Sequence, residues 1–254
     1  MSTLEFQKVT FSYCSSRFLD ELSFSLAAGE LVGLMGPNGA GKSTILKLAA
    51  GLLSPQKGHV MVGEKAIGMY SGKKRAKQVA YLPQTLDLQA PFRVGELVRM
   101  GEYPHEGCQA ITVDEALHIV GLQGKVNTFL AELSGGERRR AYIAMTLVQG
   151  ARVLLLDEPL ASLDIKYQFD LFYLLKEISR EKGVSVLMSL HDIGMGAILD
   201  RLLLAKDGRL VTQGEPAVVL TDEIVQDTYD LNGSISTFMR TSRTFCRTLA
   251  VASA

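Results

Sequence analysis

The chain has 254 residues and is 47% apolar, which is enough to bury one large core or two smaller ones. Its 27 basic and 27 acidic residues cancel, so its net charge gives no support for binding nucleic acid or an anionic membrane surface. No apolar run reaches the ~18 residues of a spanning helix, and the first residues do not resemble a signal peptide. Cys14, Cys108 and Cys246 have neither a disulfide nor a zinc spacing. We therefore expect a soluble cytoplasmic protein without a nucleic-acid partner.

The first informative stretch is a short apolar run followed by a glycine-rich turn. Residues 30–35, ELVGLM, are typical of a strand buried on both faces of a parallel sheet. GPNGAGKST follows, and apolar residues then recur at helical spacing until Gly51, near the expected end of a helix. The spacing G-x-x-x-x-G-K-S between a strand and a helix predicts a P-loop.

A P-loop binds phosphates through its backbone. Glycines let the N–H groups turn toward an anion, and the N-terminus of the next helix adds unpaired donors. Lys42 would reach the outer phosphates, and the Ser43 hydroxyl would bind a magnesium ion that bridges them. A structural glycine turn is the alternative, whereas the dinucleotide pattern G-x-G-x-x-G does not fit. The predicted phosphate-binding residues are Gly36, Pro37, Asn38, Gly39, Ala40, Gly41, Lys42, Ser43 and Thr44.

A second glycine pair precedes a helical pattern later in the chain. In LSGGERRRAYIAMTLVQ, Ser134, Gly135 and Gly136 stand directly before apolar residues at helical spacing. They predict another helix N-terminus with free amides and a hydroxyl. A plain helix cap explains the same residues when the motif is considered alone.

Two adjacent carboxylates follow the next apolar strand, which is predicted at residues 153–156. If the strand continues, Asp157 and Glu158 point in opposite directions and have different roles. Asp157 fits a carboxylate that holds magnesium, for example through water, and Glu158 fits one that orients the attacking water. Such a pair alone would indicate an ordinary polar loop. Together with a P-loop it favours nucleotide hydrolysis.

The stretch LSGGE resembles the signature motif of ATP-binding cassette (ABC) ATPases. This resemblance implies that two copies pair head to tail, so that the P-loop of one copy and the signature of the other enclose one ATP. A single chain then carries half of each of two sites. The signature residues implied to bind nucleotide are Ser134, Gly135, Gly136 and Glu137.

Further positions resemble motifs of the same family. Tyr13 in FSY resembles the aromatic residue that stacks on adenine, although a strand aromatic is an equal alternative. Gln84 in VAYLPQ resembles the Q-loop glutamine, which reaches magnesium or water and senses the membrane partner. His191 in SLHD resembles the switch histidine, and the other three histidines are expected to be surface or core residues. The implied sets are Glu158, His191 and Gln84 for catalysis, Ser43, Gln84 and Asp157 for Mg²⁺, and Ser162, Leu163 and Asp164 for the D-loop at the dimer interface.

These patterns predict an α/β fold with a P-loop (RecA-like) nucleotide-binding core, an inserted helical subdomain and an N-terminal antiparallel β part. The ATP-binding core is predicted at residues 1–85 and 150–235, and the helical (signature) subdomain at 86–149. The basic run at 73–77 is expected to be a solvated helix face. Residues 236–254 form a tail to which the sequence assigns no role.

Within the family, the sequence resembles the importer subfamily for iron siderophores, haem and cobalamin. The resemblance rests on PFRVGELVRMGEYPHEG, LSGGERRR and LDIKYQ, with departures at Glu102 and at Leu160 and Ala161. It implies an ATPase at the cytoplasmic face of the cell (inner) membrane, with ATP, a second copy and integral permease subunits as partners, and a periplasmic or extracellular substrate-binding protein as an indirect one. The alternatives are import of another metal or an oxyanion such as molybdate, and a soluble ABC ATPase without a transport role. The stretch between P-loop and signature is too short for the long coiled coil of a DNA-repair relative.

Overall fold

The computed structural model describes residues 2–13, 17–86, 91–105, 111–161 and 163–231, apart from the side chains of Ser2 and Arg17. The predictions made for Ser162, for the three cysteines and for the tail at 236–254 lie outside these residues.

The described strands form two sheets. In chain order they are β1 (Ser2–Ser12), β2 (Arg17–Ala27), β3 (Leu31–Met35), β4 (Lys57–Val62), β5 (Lys65–Ala66), β6 (Val79–Leu82), β7 (Val153–Leu156), β8 (Ser185–Ser189), β9 (Arg201–Lys206) and β10 (Arg209–Gly214). The smaller sheet has the order β2-β1-β4-β5 and is antiparallel throughout. The N-terminal antiparallel part predicted from the sequence is therefore confirmed.

The larger sheet has the order β10-β9-β3-β8-β7-β6. Its strands β6, β7, β8, β3 and β9 run parallel to their neighbours, and β10 alone in this sheet pairs antiparallel, with β9. Because the carboxyl ends of parallel strands lie at one edge of a sheet, the residues that follow β3, β6, β7 and β8 come together there. We call this edge the carboxyl edge.

The helices follow or precede these strands. The described α-helices are α1 (Lys42–Ala49), α2 (Gly72–Ala76), α3 (Val94–Arg99), α4 (Val113–Ile119), α5 (Gly135–Gln149), α6 (Ile165–Lys182), α7 (Ile193–Gly196), α8 (Pro216–Val219) and α9 (Asp222–Tyr229), with 3₁₀ turns at Ile67–Met69, Met100–Glu102 and Leu130–Glu132. Gly51, with φ +66°, follows the end of α1 as predicted. Residues 73–76 of the basic run lie on the short helix α2, in which no residue is buried, as predicted, and Lys77 is its C-cap. In the part of the chain that the structure describes, no helix has the length and apolar character needed to cross a membrane.

The larger sheet separates two apolar clusters. On β7, Val153 and Leu155 join the cluster that contains α1 and the antiparallel sheet, whereas Leu154 and Leu156 join the cluster that contains α3 to α6. This alternation follows from the two-residue period of a strand. Both faces of the sheet are thus covered, which explains why strands such as β3 are apolar at nearly every position.

Candidate functional site

The predicted P-loop leaves β3 at the carboxyl edge and passes directly against β9. Gly36 has φ +147°, and a Cβ built on it would lie 2.0 Å from the carbonyl oxygen of Ala205. Only glycine fits at this position. Gly39 differs, because its φ is +85° but a Cβ there would meet nothing within 4 Å. The loop is therefore closed toward the sheet at Gly36 and open on the side of Gly39.

Lys42, the first residue of α1, folds back over this loop. Its side chain is 7% exposed, and its Nζ donates hydrogen bonds to the carbonyl oxygens of Gly36 (2.7 Å) and Pro37 (3.0 Å). Burial lowers the pKa of Lys42, while the nearby carboxylates of Glu158 and Asp157 act in the opposite direction. A buried ammonium group thus lies between the loop and the two predicted carboxylates. The N–H groups of the first turn of α1, which have no partner within the helix, lie beside it.

Asp157 lies at the end of β7 and is 3% exposed. Its Oδ1 accepts a hydrogen bond from Ser189 Oγ (2.8 Å), and its Oδ2 accepts one from the Tyr81 hydroxyl (3.3 Å). Burial raises the pKa of the Tyr81 hydroxyl, and the charge of Asp157 raises it further. Both donors are neutral hydroxyls, whereas the cationic Lys42 and Arg139 act on Asp157 through space. A carboxylate oxygen is also a ligand that suits a bound cation.

Glu158 turns away from the strand. Since β7 ends at Leu156 and Glu158 has φ +48°, the alternation expected for a continuing strand does not apply here. Instead, Glu158 Oε2 accepts a hydrogen bond from Gln84 Nε2 (2.7 Å), and its Oε1 lies 2.5 Å from His191 Nε2. The structure therefore brings the three residues predicted for catalysis into direct contact, although they follow three different strands.

Sequence reasoning missed Arg139. This residue of α5 is 7% exposed, and its guanidinium donates to the carbonyl oxygens of Gln84 (3.1 Å), Asp157 (3.0 Å) and Glu158 (2.7 Å). Burial lowers the pKa of Arg139, and the carboxylates of Asp157 and Glu158 oppose that shift. In the structure position 139 shares the buried face of α5 with Ile143, one turn later, but the run of three arginines at 138–140 gives no signal in the sequence that distinguishes it.

The predicted signature forms the start of α5. Ser134 is the N-cap: its Oγ accepts from the Glu137 N–H (3.3 Å), and the Glu137 carboxylate accepts from the Ser134 N–H (3.0 Å). The hydrogen bond from Lys125, together with that from the Ser134 backbone, lowers the pKa of Glu137 to about 2. A Cβ built on Gly136 would lie 3.7 Å from the Leu163 side chain, so the predicted D-loop lies beside the signature.

The remaining predicted residues are Tyr13 and Asp164. The Tyr13 ring is 55% exposed and packs edge-on against Phe11 and Phe18, with centroid distances of 4.9 and 5.4 Å. Its hydroxyl is 2.9 Å from Thr44 Oγ1, which fixes the ring beside the first turn of α1. Asp164 precedes α6 as its N-cap residue.

These features define a P-loop protein whose sheet carries carboxylates beside the phosphate-binding loop. Residues 19–161 match the family described as "ABC transporter", and the chain belongs to this family. It is therefore an ATPase of the ABC class, and the resemblance inferred from its motifs is confirmed, together with the α/β fold that it implied.

Individual relatives agree with this assignment. The chain is 40% identical over 236 residues to the petrobactin import ATP-binding protein FpuC of Bacillus anthracis, a match covering 90% of this chain and 87% of that protein. It is 34% identical over 256 residues to the iron(3+)-hydroxamate import ATP-binding protein FhuC of Bacillus subtilis (strain 168), covering 98% and 95%. Its fold resembles the dimeric post-hydrolysis structure of the ATP-binding cassette MJ0796 bound to ADP and Pi, with a TM-score of 0.73 and 25% identity over 84% of this chain and 98% of that one.

Proposed function

We propose that this chain is the ATP-hydrolysing subunit of an ABC importer, in which a head-to-tail dimer drives uptake of an iron-siderophore, haem or cobalamin type substrate through a separate permease. One observation carries the hydrolytic part of the proposal: Gln84, Glu158 and His191 meet at the carboxyl edge beside the P-loop. The import part is supported by the similarity to two import ATP-binding proteins.

Nucleotide binding would use the P-loop of one chain. The N–H groups of residues 36–44 and the ammonium group of Lys42 would hold the phosphates, while the exposed ring of Tyr13 would stack on the adenine. Ser43 and Gln84 offer oxygen ligands, and the buried Asp157 offers carboxylate oxygens that are hydrogen-bonded by the neutral hydroxyls of Ser189 and Tyr81. These are the groups that suit Mg²⁺ bound with phosphate oxygens. When bound, that ion neutralises charge on the phosphates.

Hydrolysis would depend on Glu158. Gln84 and His191 contact one carboxylate oxygen each, so the group is oriented from both sides. A water molecule that donates a hydrogen bond to Glu158 would attack the γ-phosphorus. The new P–O bond forms as the bond to the β-phosphate oxygen breaks, giving ADP and phosphate, and Glu158 accepts the proton of the water. His191 would contact the γ-phosphate.

The presence of two helix N-termini suited to phosphate in one chain supports the proposed head-to-tail dimer. The P-loop lies at the start of α1 and residues 134–137 lie at the start of α5, and each N-terminus presents free N–H groups. In the proposed dimer, residues 134–137 of one copy would complete the site formed by residues 36–44 of the other, with Ser162, Leu163 and Asp164 at the interface. The dimeric state of the similar cassette MJ0796 supports this arrangement.

The proposed partners would hold the chain at the membrane surface, and the chain itself would not span the membrane. The permease would dock near Gln84, on the proposed helical subdomain at 86–149, and hold the ATPase at the cytoplasmic face of the inner membrane. The proposed core at 1–85 and 150–235 would carry the nucleotide. The substrate itself would be recognised by the permease and by a periplasmic or extracellular binding protein.

The test is Glu158→Gln, which retains the size of the side chain and removes its charge and basicity. We expect phosphate release to slow by ~10²–10⁴-fold, as is typical for loss of a general base. ATP binding should persist, so a dimer should accumulate with Mg-ATP and be detected by light scattering after gel filtration. Glu181→Gln, at an exposed position near the end of α6, is the matched control. Phosphate release at the wild-type rate by Glu158→Gln would refute the proposed mechanism.

A further inference from the structure

One buried side chain joins the signature helix to the ends of two strands. Arg139 lies on the second turn of α5, and its guanidinium donates to the carbonyl oxygens of Gln84, after β6, and of Asp157 and Glu158, after β7. These carbonyls belong to residues that the site already contains. The hydrogen bonds of Arg139 to them go to their backbone.

The backbone of Glu158 is held at both of its polar groups. Its N–H donates to Ser189 Oγ (2.7 Å), and its carbonyl oxygen accepts from Arg139 (2.7 Å). With φ +48°, Glu158 has a conformation that side-chain-bearing residues rarely adopt and that persists where surrounding groups enforce it. One group from β8 and one from α5 therefore fix the direction in which the Glu158 side chain leaves the chain.

The positively charged side chain of Arg139 lies near two carboxylates but hydrogen-bonds to backbone carbonyls. A buried guanidinium is costly unless its donors are satisfied. Nη1 and Nη2 of Arg139 donate to neutral carbonyls rather than to the adjacent carboxylates, and its buried Nε has no hydrogen-bond partner among the residues that the structure describes. Burial lowers the pKa of Arg139, and the opposing influence of the Asp157 and Glu158 charges places its guanidinium within electrostatic reach of both carboxylates. Because these bonds go to backbone carbonyls, the carboxylate oxygens of Glu158 remain available to Gln84 and His191, and those of Asp157 to Ser189 and Tyr81.

We propose that Arg139 is a positioning residue that links the signature of each chain to the catalytic carboxylate of the same chain. Ser134 caps the N-terminus of the helix that carries Arg139, and in the proposed dimer it contacts the nucleotide of the second copy. Nucleotide bound at Ser134 would hold α5, and with it Arg139, in place. Arg139 would then hold the backbone of Glu158 in the same chain, so that nucleotide binding at one site positions the catalytic carboxylate of the other site. This inference rests on the proposed function, because it takes Glu158 as the carboxylate that orients water.

The first experiment compares Arg139→Met and Arg139→Lys with wild type in steady-state phosphate release. Methionine retains most of the side-chain length and no donor, while lysine retains the charge with a single donor group. We expect kcat to fall by ~10²-fold for methionine, as when a reacting group is displaced by about 1 Å, and less for lysine, with KM for ATP within about twofold of wild type.

The matched control is Arg201→Met, at the amino ends of the parallel strands and thus opposite the carboxyl edge. Arg201 starts β9, and its guanidinium also bonds to a carbonyl, of Ser25 (2.8 Å), and to the Glu30 carboxylate (3.0 Å). The substitution removes comparable bonds far from Glu158. We expect a lower denaturation midpoint for Arg201→Met with unchanged kcat, which separates general destabilisation from positioning.

The decisive experiment is a double-mutant cycle with Glu158→Gln, read by single-turnover hydrolysis. If Arg139 acts through the carboxylate, Arg139→Met should cause no further loss in the Glu158→Gln background. Equal fold-losses in both backgrounds, or a raised KM with normal kcat, would overturn the inference while leaving the proposed function intact. Wild-type hydrolysis by Glu158→Gln alone would instead defeat the proposed function. If Arg139→Met does not fold, Arg139→Lys enters the same cycle with the same criteria.

Discussion

The two glycines of the P-loop should respond very differently to the same substitution. In Gly36→Ala, the new Cβ would lie 2.0 Å from the Ala205 carbonyl oxygen, whereas carbon and carbonyl oxygen ordinarily approach to about 3.3 Å. The loop and β9 would have to separate by roughly 1.3 Å. Overpacking of this kind costs about 1–3 kcal/mol, and the backbone conformation at φ +147° costs a residue with a side chain about 1–3 kcal/mol more.

Gly39→Ala is the matched comparison within the same loop. Its Cβ would meet nothing within 4 Å, so only the conformational cost of φ +85° remains, about 1–2 kcal/mol. The expected loss for Gly36→Ala, about 2–6 kcal/mol, is a large part of the 5–15 kcal/mol that stabilises an ordinary domain. We therefore expect Gly36→Ala to be poorly folded and Gly39→Ala to remain folded.

Guanidinium denaturation followed by far-UV circular dichroism measures this difference. The midpoint of Gly36→Ala should shift further than that of Gly39→Ala, by about two- to threefold at the centres of the two ranges, with the slope of the transition unchanged. Because the Cβ of Gly39→Ala projects into the open side of the loop, calorimetry should show weaker ATP binding by that variant despite its intact fold. Equal midpoint shifts would refute the close approach of Gly36 to β9.

Two further substitutions test the charged groups of the site. Lys42→Ala removes a buried ammonium group. Since a hydrogen bond to a charged group contributes ~1.5–3 kcal/mol, ATP affinity measured by calorimetry should fall by about 10–100-fold or more. Unchanged affinity would contradict the P-loop assignment. Glu137→Gln tests the cap of α5: the pKa of Glu137 is lowered from 4.5 to about 2, so its charge stabilises the folded state above pH 4.5 and this contribution is lost as the pH falls toward 2. The difference in denaturation midpoint between wild type and Glu137→Gln should therefore be constant near neutral pH and shrink below pH 4.5, and a difference that does not depend on pH would exclude this role.

The sequence alone predicted those elements that depend only on residues close together in the chain. The strand before the P-loop, the helix after it and the cap at Ser134 each depend on residues within one turn or one strand, and all three are present in the structure. The order of the strands in the larger sheet, by contrast, depends on pairing between residues far apart in the chain. Their order decides that Gln84, Glu158 and His191 meet, and only the family resemblance suggested this from the sequence.

Two features of the site could not be predicted because they depend on distant groups. The left-handed conformation of Glu158 is enforced by Ser189 and Arg139, which lie on β8 and α5. Arg139 stands in a run of three arginines, and the sequence alone does not show which of the three is buried against the core. Packing of α5 on the sheet makes that choice.

The position of β3 in the larger sheet sets when the nucleotide site can form during synthesis. This strand leaves the ribosome well before its two neighbours, β8 and β9, which begin only at Ser185 and Arg201. α1 and the antiparallel sheet can cover one face of β3 early, but its edges remain unpaired until those later residues have been translated. Contacts between such distant residues form slowly, and unpaired apolar strands favour aggregation. A nascent chain therefore completes the pairing of β3, from which the P-loop leaves, only after Arg201 has been translated, and a chain that stops before Ser185 leaves both edges of this apolar strand unpaired.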